Sequence, residues 1–185
     1  QLSRLFKNLA DICPLVIIAG NHDANLNNPN RMDVLTPIVE NLNHPNLHYL
    51  KRTGVYRCGD TNLVVWDVWD KESDYIKAKD VTEDGTNVVL YHGTVDRSET
   101  DLGFKLPSKV KMKMFKDYDL ALLGDIHKRQ FIDKEKTIAY CGSLIQQNHG
   151  EDIGKGYLLW DVPKRTSEYI EIPNDFGYYT INIDN

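Results

Sequence analysis

The sequence contains 185 residues, a length typical of one domain with a sizeable core. Lys and Arg number 22 against 27 Asp and Glu, and the formal charge of −5 argues against nucleic-acid binding through a uniformly basic surface. No apolar run approaches the roughly 20 residues of a membrane span and no signal peptide is evident, so we expect an intracellular protein of the cytoplasm or nucleus that contacts no membrane. The 3 cysteines lack C-x-x-C spacing, which predicts reduced, buried thiols.

The first half of the chain is predicted to alternate helices and strands. In chain order the predicted elements are a helix at 2–12, a buried strand at 14–19, a helix at 31–43, a short strand at 47–50 and a hairpin over 54–69. Helical spacing places Leu2, Leu5, Leu9 and Ile12 on one apolar face of the first helix.

The second half is predicted to consist mostly of strands. They are expected at 87–91, 119–123, 130–132, 137–141, 156–162, 168–172 and 178–183. An α/β region followed by a mostly β region predicts an α/β protein with two packed mixed β-sheets and helices on their outer faces.

A lysine-rich segment lies between the strands at 87–91 and 119–123. Residues 105–116 contain Lys105, Lys109, Lys111, Lys113 and Lys116 and no acidic residue. The segment is either a track that contacts phosphates or a solvated element with Val110, Met112 and Met114 turned inward. Because charge runs are usually solvent faces, we favour the solvated element.

Three of the apolar strands are followed by side chains that bind metals or move protons. They are Asn21, His22 and Asp23 after the first strand, His92 after the second, and Asp125 and His127 after the third. Polar turn residues are the simpler interpretation of any one strand end, but three such ends favour a site, since ligands bind at the carboxyl ends of parallel strands. Amide, imidazole and carboxylate groups suit Mn²⁺, Fe²⁺ or Zn²⁺, and paired ions of this kind hydrolyse phosphoesters.

These strand ends resemble the motifs of a known enzyme family. Gly20-Asn21-His22-Asp23, His92-Gly93 and Gly124-Asp125-Ile126-His127 resemble the motifs of the calcineurin-like metallophosphoesterases. The downstream segment Ile138–Leu144, followed by Gly150-Glu151 and Lys155-Gly156-Tyr157, is similar to the SbcD-type double-strand-break repair nucleases.

The resemblance implies a role for each matching residue. Asn21 and His92 would bind the second of two Mn²⁺ ions and His127 the first, with Mg²⁺, Fe²⁺ or Zn²⁺ as alternative metals. His22 would assist the leaving group as a catalytic residue, and Asp23 would orient the His22 ring. Asp125 stands where the family motif G-H-x-H has its first histidine, and a carboxylate there can still be a metal ligand.

Two motifs that the family places before G-N-H-D are missing from the sequence. These are D-x-H and G-D-x-x-D, which we expect upstream of Gln1. We therefore interpret residues 1–185 as a single metallophosphoesterase domain that lacks its first strands and first two metal motifs. On its own it should bind at most one metal weakly and be weakly active or inactive.

The predicted function is a Mn²⁺-dependent phosphodiesterase, a DNA exonuclease or endonuclease of the double-strand-break repair type. The resemblance implies DNA, an SMC-like ATPase subunit and a second copy of the chain in a homodimer as partners. One alternative is a calcineurin-like phosphatase or phosphodiesterase acting on small phosphoesters or proteins. The other is a scaffold without catalytic activity that binds DNA or partners.

Overall fold

A computed structural model describes residues 1–28, 30–179, 181 and 183. The chain is an α/β protein with mixed sheets and few helices. The α-helices are α1 (Leu2–Ala10) and α2 (Leu35–Leu42). The strands are β1 (Leu15–Ile17), β2 (Leu47–Tyr49), β3 (Gly54–Cys58), β4 (Thr61–Trp66), β5 (Thr86–His92), β6 (Leu120–Gly124), β7 (Gln130–Phe131), β8 (Ile138–Tyr140), β9 (Gly156–Asp161) and β10 (Thr166–Glu171). Within the described residues, no helix is long and apolar enough to cross a membrane.

The largest sheet has six strands in the order β3-β4-β5-β6-β8-β7. Its four inner strands are parallel, and an antiparallel strand lies at each edge. The apolar runs of β4, β5 and β6 follow from burial of both faces of the parallel strands. An aromatic cluster forms the centre of the core, where the Trp66 ring lies 4.6 Å from the rings of both Tyr75 and Phe115.

A smaller unit contains the first strand and both helices. In it β1 pairs in parallel with β2, and α1 and α2 pack on this pair around a small buried core. That core consists of Phe6, Ala10, Ala19, Leu35 and Leu47. The prediction of a fully buried first strand is wrong, since all three residues of β1 are half-buried. The reason is that β1 has a partner strand on one side only within the described part of the chain.

Helix α1 forms almost where it was predicted, but its leucines point outward. Phe6 and Ala10 face the small core. The predicted apolar face is exposed instead, at 39% for Leu2, 46% for Leu5, 39% for Leu9 and 81% for Ile12. The helical spacing in the sequence identified this apolar face correctly. It could not predict whether other parts of the protein pack against it.

Helix α2 begins four residues later than predicted because Asp33 caps it. The Asp33 carboxylate accepts hydrogen bonds from the backbone N–H groups of Leu35 at 2.9 Å and Thr36 at 2.7 Å. Pro37 then lies in the first turn, where a missing N–H breaks no helical hydrogen bond. The helix ends at Leu42, and the following Asn43 has a φ of 42°, a left-handed conformation common after helices.

Three further expectations need correction. The described residues form three sheets rather than two, since β9 and β10 form a separate antiparallel pair. All three cysteines are free, as predicted, but exposed rather than buried. The predicted strand at 178–183 does not form at residues 178, 179, 181 or 183, and its other two positions lie outside the described residues.

The lysine-rich segment has the form of a solvated element. All five of its lysines are exposed, whereas Val110 is buried and Met112 and Met114 pack against the main core. A single turn of 3-10 helix at Met112–Met114 turns the two methionines inward.

Candidate active site

Strand register brings the second and third predicted strand ends together. β5 and β6 are parallel neighbours, and His92 lies directly opposite Gly124, so that Asp125 follows beside the imidazole. The Gly93 N–H donates a hydrogen bond to the Gly124 carbonyl at 3.2 Å and continues the pairing beyond the strands. Parallel strands therefore deliver His92 and Asp125 to one edge of the six-stranded sheet.

The smaller unit reaches the same edge through Gly20. A Cβ atom at Gly20 would lie 2.7 Å from His92 Cε1, a distance that real Cβ atoms essentially never show. Only glycine permits this close approach. The contact places Asn21 beside His92, although the two residues come from different sheets.

Two oxygen atoms, from Asn21 and Asp125, lie close to one ring nitrogen of His92. Its Nε2 atom lies 3.1 Å from Asn21 Oδ1 and 3.8 Å from Asp125 Oδ1. The Thr94 hydroxyl group donates a hydrogen bond to the other carboxylate oxygen of Asp125, Oδ2, at 3.1 Å. Asp125 has a φ of 95°, a conformation that favours glycine, and such backbone strain is often found at functional sites.

The electrostatics of this group favour a neutral imidazole. Burial lowers the pKa of His92, while the nearby carboxylates of Asp125 and Asp23 oppose that change. The positive charges that His22 and His127 can carry also lower the His92 pKa, because both rings lie in its neighbourhood. Neutral imidazole is the form that binds metals.

His127 is held by a buried carboxylate that the sequence analysis did not assign a role. Its Nδ1 atom lies 2.9 Å from Glu151 Oε1, and Glu151 also forms a 3.0 Å ion pair with the buried Lys155. The Lys155 ammonium in turn donates to the His127 carbonyl at 3.2 Å. A carboxylate acceptor keeps the proton on Nδ1, which leaves Nε2 free as a ligand atom.

Glu151 remains ionised in this environment. Burial alone would raise the pKa of Glu151, but hydrogen bonds from His127, the Gln147 amide and Lys155 lower it overall. Asn148 donates a further hydrogen bond to the carboxylate at 2.7 Å. The Gly150-Glu151 motif was the sequence feature that could have drawn attention to Glu151. No local sequence pattern indicates that Glu151 contacts His127, which lies 24 residues earlier in the chain.

Tyr140 was also missed as a residue that shapes the site. Its buried hydroxyl donates to the Gly93 carbonyl at 2.7 Å and accepts from the Val95 N–H at 2.9 Å. These two bonds fix the chain just after His92. Burial raises the pKa of Tyr140, so the hydroxyl keeps its proton and remains a donor.

The two predicted catalytic residues lie in the turn that follows Gly20. Asp23 accepts a hydrogen bond from the Gly20 N–H at 2.9 Å and closes the turn with its carboxylate. His22 is exposed at the rim of an open cavity of about 670 Å³ that Asn21 and Asp23 also line. The orienting role of Asp23 toward His22 stays a prediction, since the described contact of its carboxylate is with the backbone.

Three side chains that meet here could contribute ligand atoms to one metal ion. They are an amide oxygen of Asn21, an imidazole nitrogen of His92 and a carboxylate oxygen of Asp125. Within the described residues, no group of three or more His, Cys, Asp or Glu side chains could hold a metal. A three-residue metal site here therefore requires the Asn21 amide as one ligand. His127 lies outside this group of three side chains.

Comparisons with known proteins give a relative and a fold neighbour. No protein-family model matches the sequence. The uncharacterised protein R555 of Acanthamoeba polyphaga mimivirus is 42% identical over 193 aligned residues that include 98% of this chain. The chain spans 14% of the length of that viral protein. A protein of known crystal structure matches with a TM-score of 0.60 at 14% identity, over 92% of this chain and 70% of the other. This last likeness concerns the fold alone.

Proposed function

We propose that the chain carries the active site of a calcineurin-like metallophosphoesterase, and that its reaction is metal-dependent hydrolysis of phosphodiester bonds in DNA. The observation that carries the proposal is that oxygen atoms of Asn21 and Asp125 both lie within 4 Å of Nε2 of His92. The three residues follow one another in the order of the family motifs. The proposal includes a calcineurin-like fold and a relationship to the SbcD-type double-strand-break repair nucleases.

Each residue of the site has a distinct task in this proposal. Asn21, His92 and Asp125 would hold one Mn²⁺ ion, and His127 would offer Nε2 to a second, with Mg²⁺, Fe²⁺ or Zn²⁺ as alternatives. A bound ion of this kind polarises the phosphate and lowers the pKa of its water. His22 is exposed at the rim of the site and would donate a proton to the leaving oxygen.

The proposal also includes partners and a larger protein. An SMC-like ATPase, a second copy of the chain and DNA remain the proposed partners. The apolar face of α1 is consistent with an interface, since Leu2, Leu5 and Leu9 are exposed and no element of the described residues covers them. Because His127 alone offers a ligand atom to the second ion in this proposal, residues 1–185 by themselves should be weakly active or inactive.

The test is Mn²⁺-dependent hydrolysis by the full-length protein on single-stranded DNA, double-stranded DNA and a small phosphodiester. The variant His22→Ala should lose about 10²- to 10⁴-fold in kcat, the usual contribution of a general acid. His48→Ala is the matched control, because His48 is exposed on β2 and outside the site.

Two results would overturn the proposal. One is a full-length protein that hydrolyses no phosphoester with Mn²⁺, Mg²⁺, Fe²⁺ or Zn²⁺, which would favour a scaffold without catalytic activity. The other is full activity of His22→Ala. Hydrolysis of the small phosphodiester without cleavage of DNA would move the protein to the small-phosphoester branch of the same family.

A further inference from the structure

A tight turn presents two apolar side chains beside the candidate active site. Leu102 is 68% exposed and Phe104 is 66% exposed, so neither contributes to the core. Within the turn, the Gly103 N–H donates to the Thr100 carbonyl at 2.9 Å, and the Thr100 N–H donates to the Phe104 carbonyl at 3.0 Å. Gly103 has a φ of 80°, which a residue with a side chain would adopt only with strain. The conformation of the turn is therefore fixed by two backbone hydrogen bonds and by the glycine at its centre.

The turn forms one wall of a cavity of about 430 Å³ that extends to the candidate ligands. The apolar residues Leu102, Phe104 and Leu106 line this cavity, and so do Asp125 and His127. The volume is in the range of small-ligand sites. Because Asp125 and His127 both line the cavity, a phosphate bound at these two residues would lie beside this space.

The side chains that line the cavity determine what kind of chemical group could bind in it. Phe104 offers an aromatic face, and Leu102 offers a second apolar surface, both of which suit a flat ring. Asp101 adds a carboxylate that can accept a hydrogen bond from an N–H group on the edge of a base, such as N3–H of thymine. Exposed Lys105 follows directly, with no ion-pair partner within the described residues, and can contact an adjacent phosphate. A nucleobase with its attached phosphate meets all of these requirements.

We infer that this cavity binds the base of an unpaired nucleotide next to the scissile phosphate, with the base stacked on Phe104 and in contact with Leu102. The inference rests on the proposed nuclease function and specifies its substrate. A base that remains paired and stacked in a duplex cannot enter the cavity, so the protein should prefer single-stranded ends or flipped nucleotides.

The test compares a short thymidine oligonucleotide with an abasic oligonucleotide of the same length. For the full-length protein in EDTA, fluorescence anisotropy should show about 5- to 150-fold weaker binding when either the bases or the Phe104 ring is removed by Phe104→Ala. The two losses should not add, because both remove the same contact. Phe104→Trp should restore binding, and Phe176→Ala is the matched control, since Phe176 is 83% exposed away from this cavity.

The outcomes separate this inference from the function on which it rests. Equal binding of the two oligonucleotides, or losses that add in full, would overturn the base-binding cavity even if DNA is cleaved. Absence of cleavage with every metal would overturn the proposed function, whereas the anisotropy experiment in EDTA still decides the inference. With Mn²⁺ present, the same variant should raise KM for the thymidine oligonucleotide and leave KM for the abasic one unchanged.

Discussion

The six-stranded sheet and the smaller β1–β2 unit supply residues to the same site but hold them differently. The large sheet holds His92 and Asp125 on adjacent buried strands, and hydrogen bonds from Thr94 and Tyr140 fix the segments that follow. The small unit holds Asn21 through a core of five buried residues and a half-buried strand. The site therefore joins a strongly constrained half to a weakly constrained one, and its geometry depends on their junction.

The junction itself offers the largest expected effect. In Gly20→Ala the new Cβ would meet His92 Cε1 at 2.7 Å and Nε2 at 2.9 Å, so that either the ring or the small unit must move. A displacement near 1 Å can cost about 10²-fold in rate, and we expect a fall of that size in the kcat of Mn²⁺-dependent cleavage. Every proposed ligand is still present in this variant.

Gly154→Ala serves as the control for this experiment. A Cβ at Gly154 would meet Glu171 at 3.8 Å, an ordinary contact distance. If the two alanine variants were equally active, the close packing of the two halves would have no part in the site.

A somewhat smaller effect is expected inside the constrained half. Glu151→Gln keeps an acceptor for His127 Nδ1 but removes the charge that pairs with Lys155. Partners of this kind typically contribute 10- to 100-fold to metal affinity, and we expect a loss in that range for Mn²⁺ measured by isothermal titration calorimetry. Glu135→Gln, an exposed residue in the β7–β8 turn, should bind Mn²⁺ like the wild type. Unchanged affinity in Glu151→Gln would show that His127 needs no carboxylate.

The smallest effect concerns stability where the large sheet continues into the small core. Val68 and Trp69, which follow β4, pack against that core. Asp67 is buried where the chain leaves β4, and within the described residues its Oδ2 atom has no hydrogen-bond partner, although Arg52 Nη1 lies 3.9 Å away. Burial, with a contribution from Asp70, raises the pKa of Asp67 to about 6. The folded state therefore favours the protonated acid, and this carboxyl group lowers stability as pH rises from near 4 through 6.

Asp67→Asn should remove that penalty. We expect the variant to be more stable than the wild type by about 1–2 kcal/mol above pH 7, with no difference below pH 4. Urea unfolding followed by tryptophan fluorescence measures both values, since Trp66 and Trp69 flank the site of the change. Asp60→Asn, on a fully exposed side chain, is the matched control and should leave the free energy of unfolding close to the wild-type value. A stability difference independent of pH would mean that the Asp67 charge is not responsible.

The sequence alone determined the α/β class, most strand positions and the residues that follow three strand ends. These features are local: an uninterrupted apolar run ending at Gly20 or Gly124 predicts a strand, although the burial predicted for the first of them was wrong. The number of sheets was not predictable in this way, because pairing joins strands distant in the chain, as β6 with β8. Capping by Asp33 likewise moved the start of α2, since a single side-chain hydrogen bond decides where a helix begins.

Only the tertiary structure decided how the site is built. Asn21 and His92 meet because glycine permits a close approach between two sheets, and His127 meets Glu151 across 24 residues of sequence. Such contacts depend on distances of a few ångströms between segments that no local pattern relates. The same holds for the leucines of α1, whose spacing was evident in the sequence and whose exposure depends on what else packs against the helix.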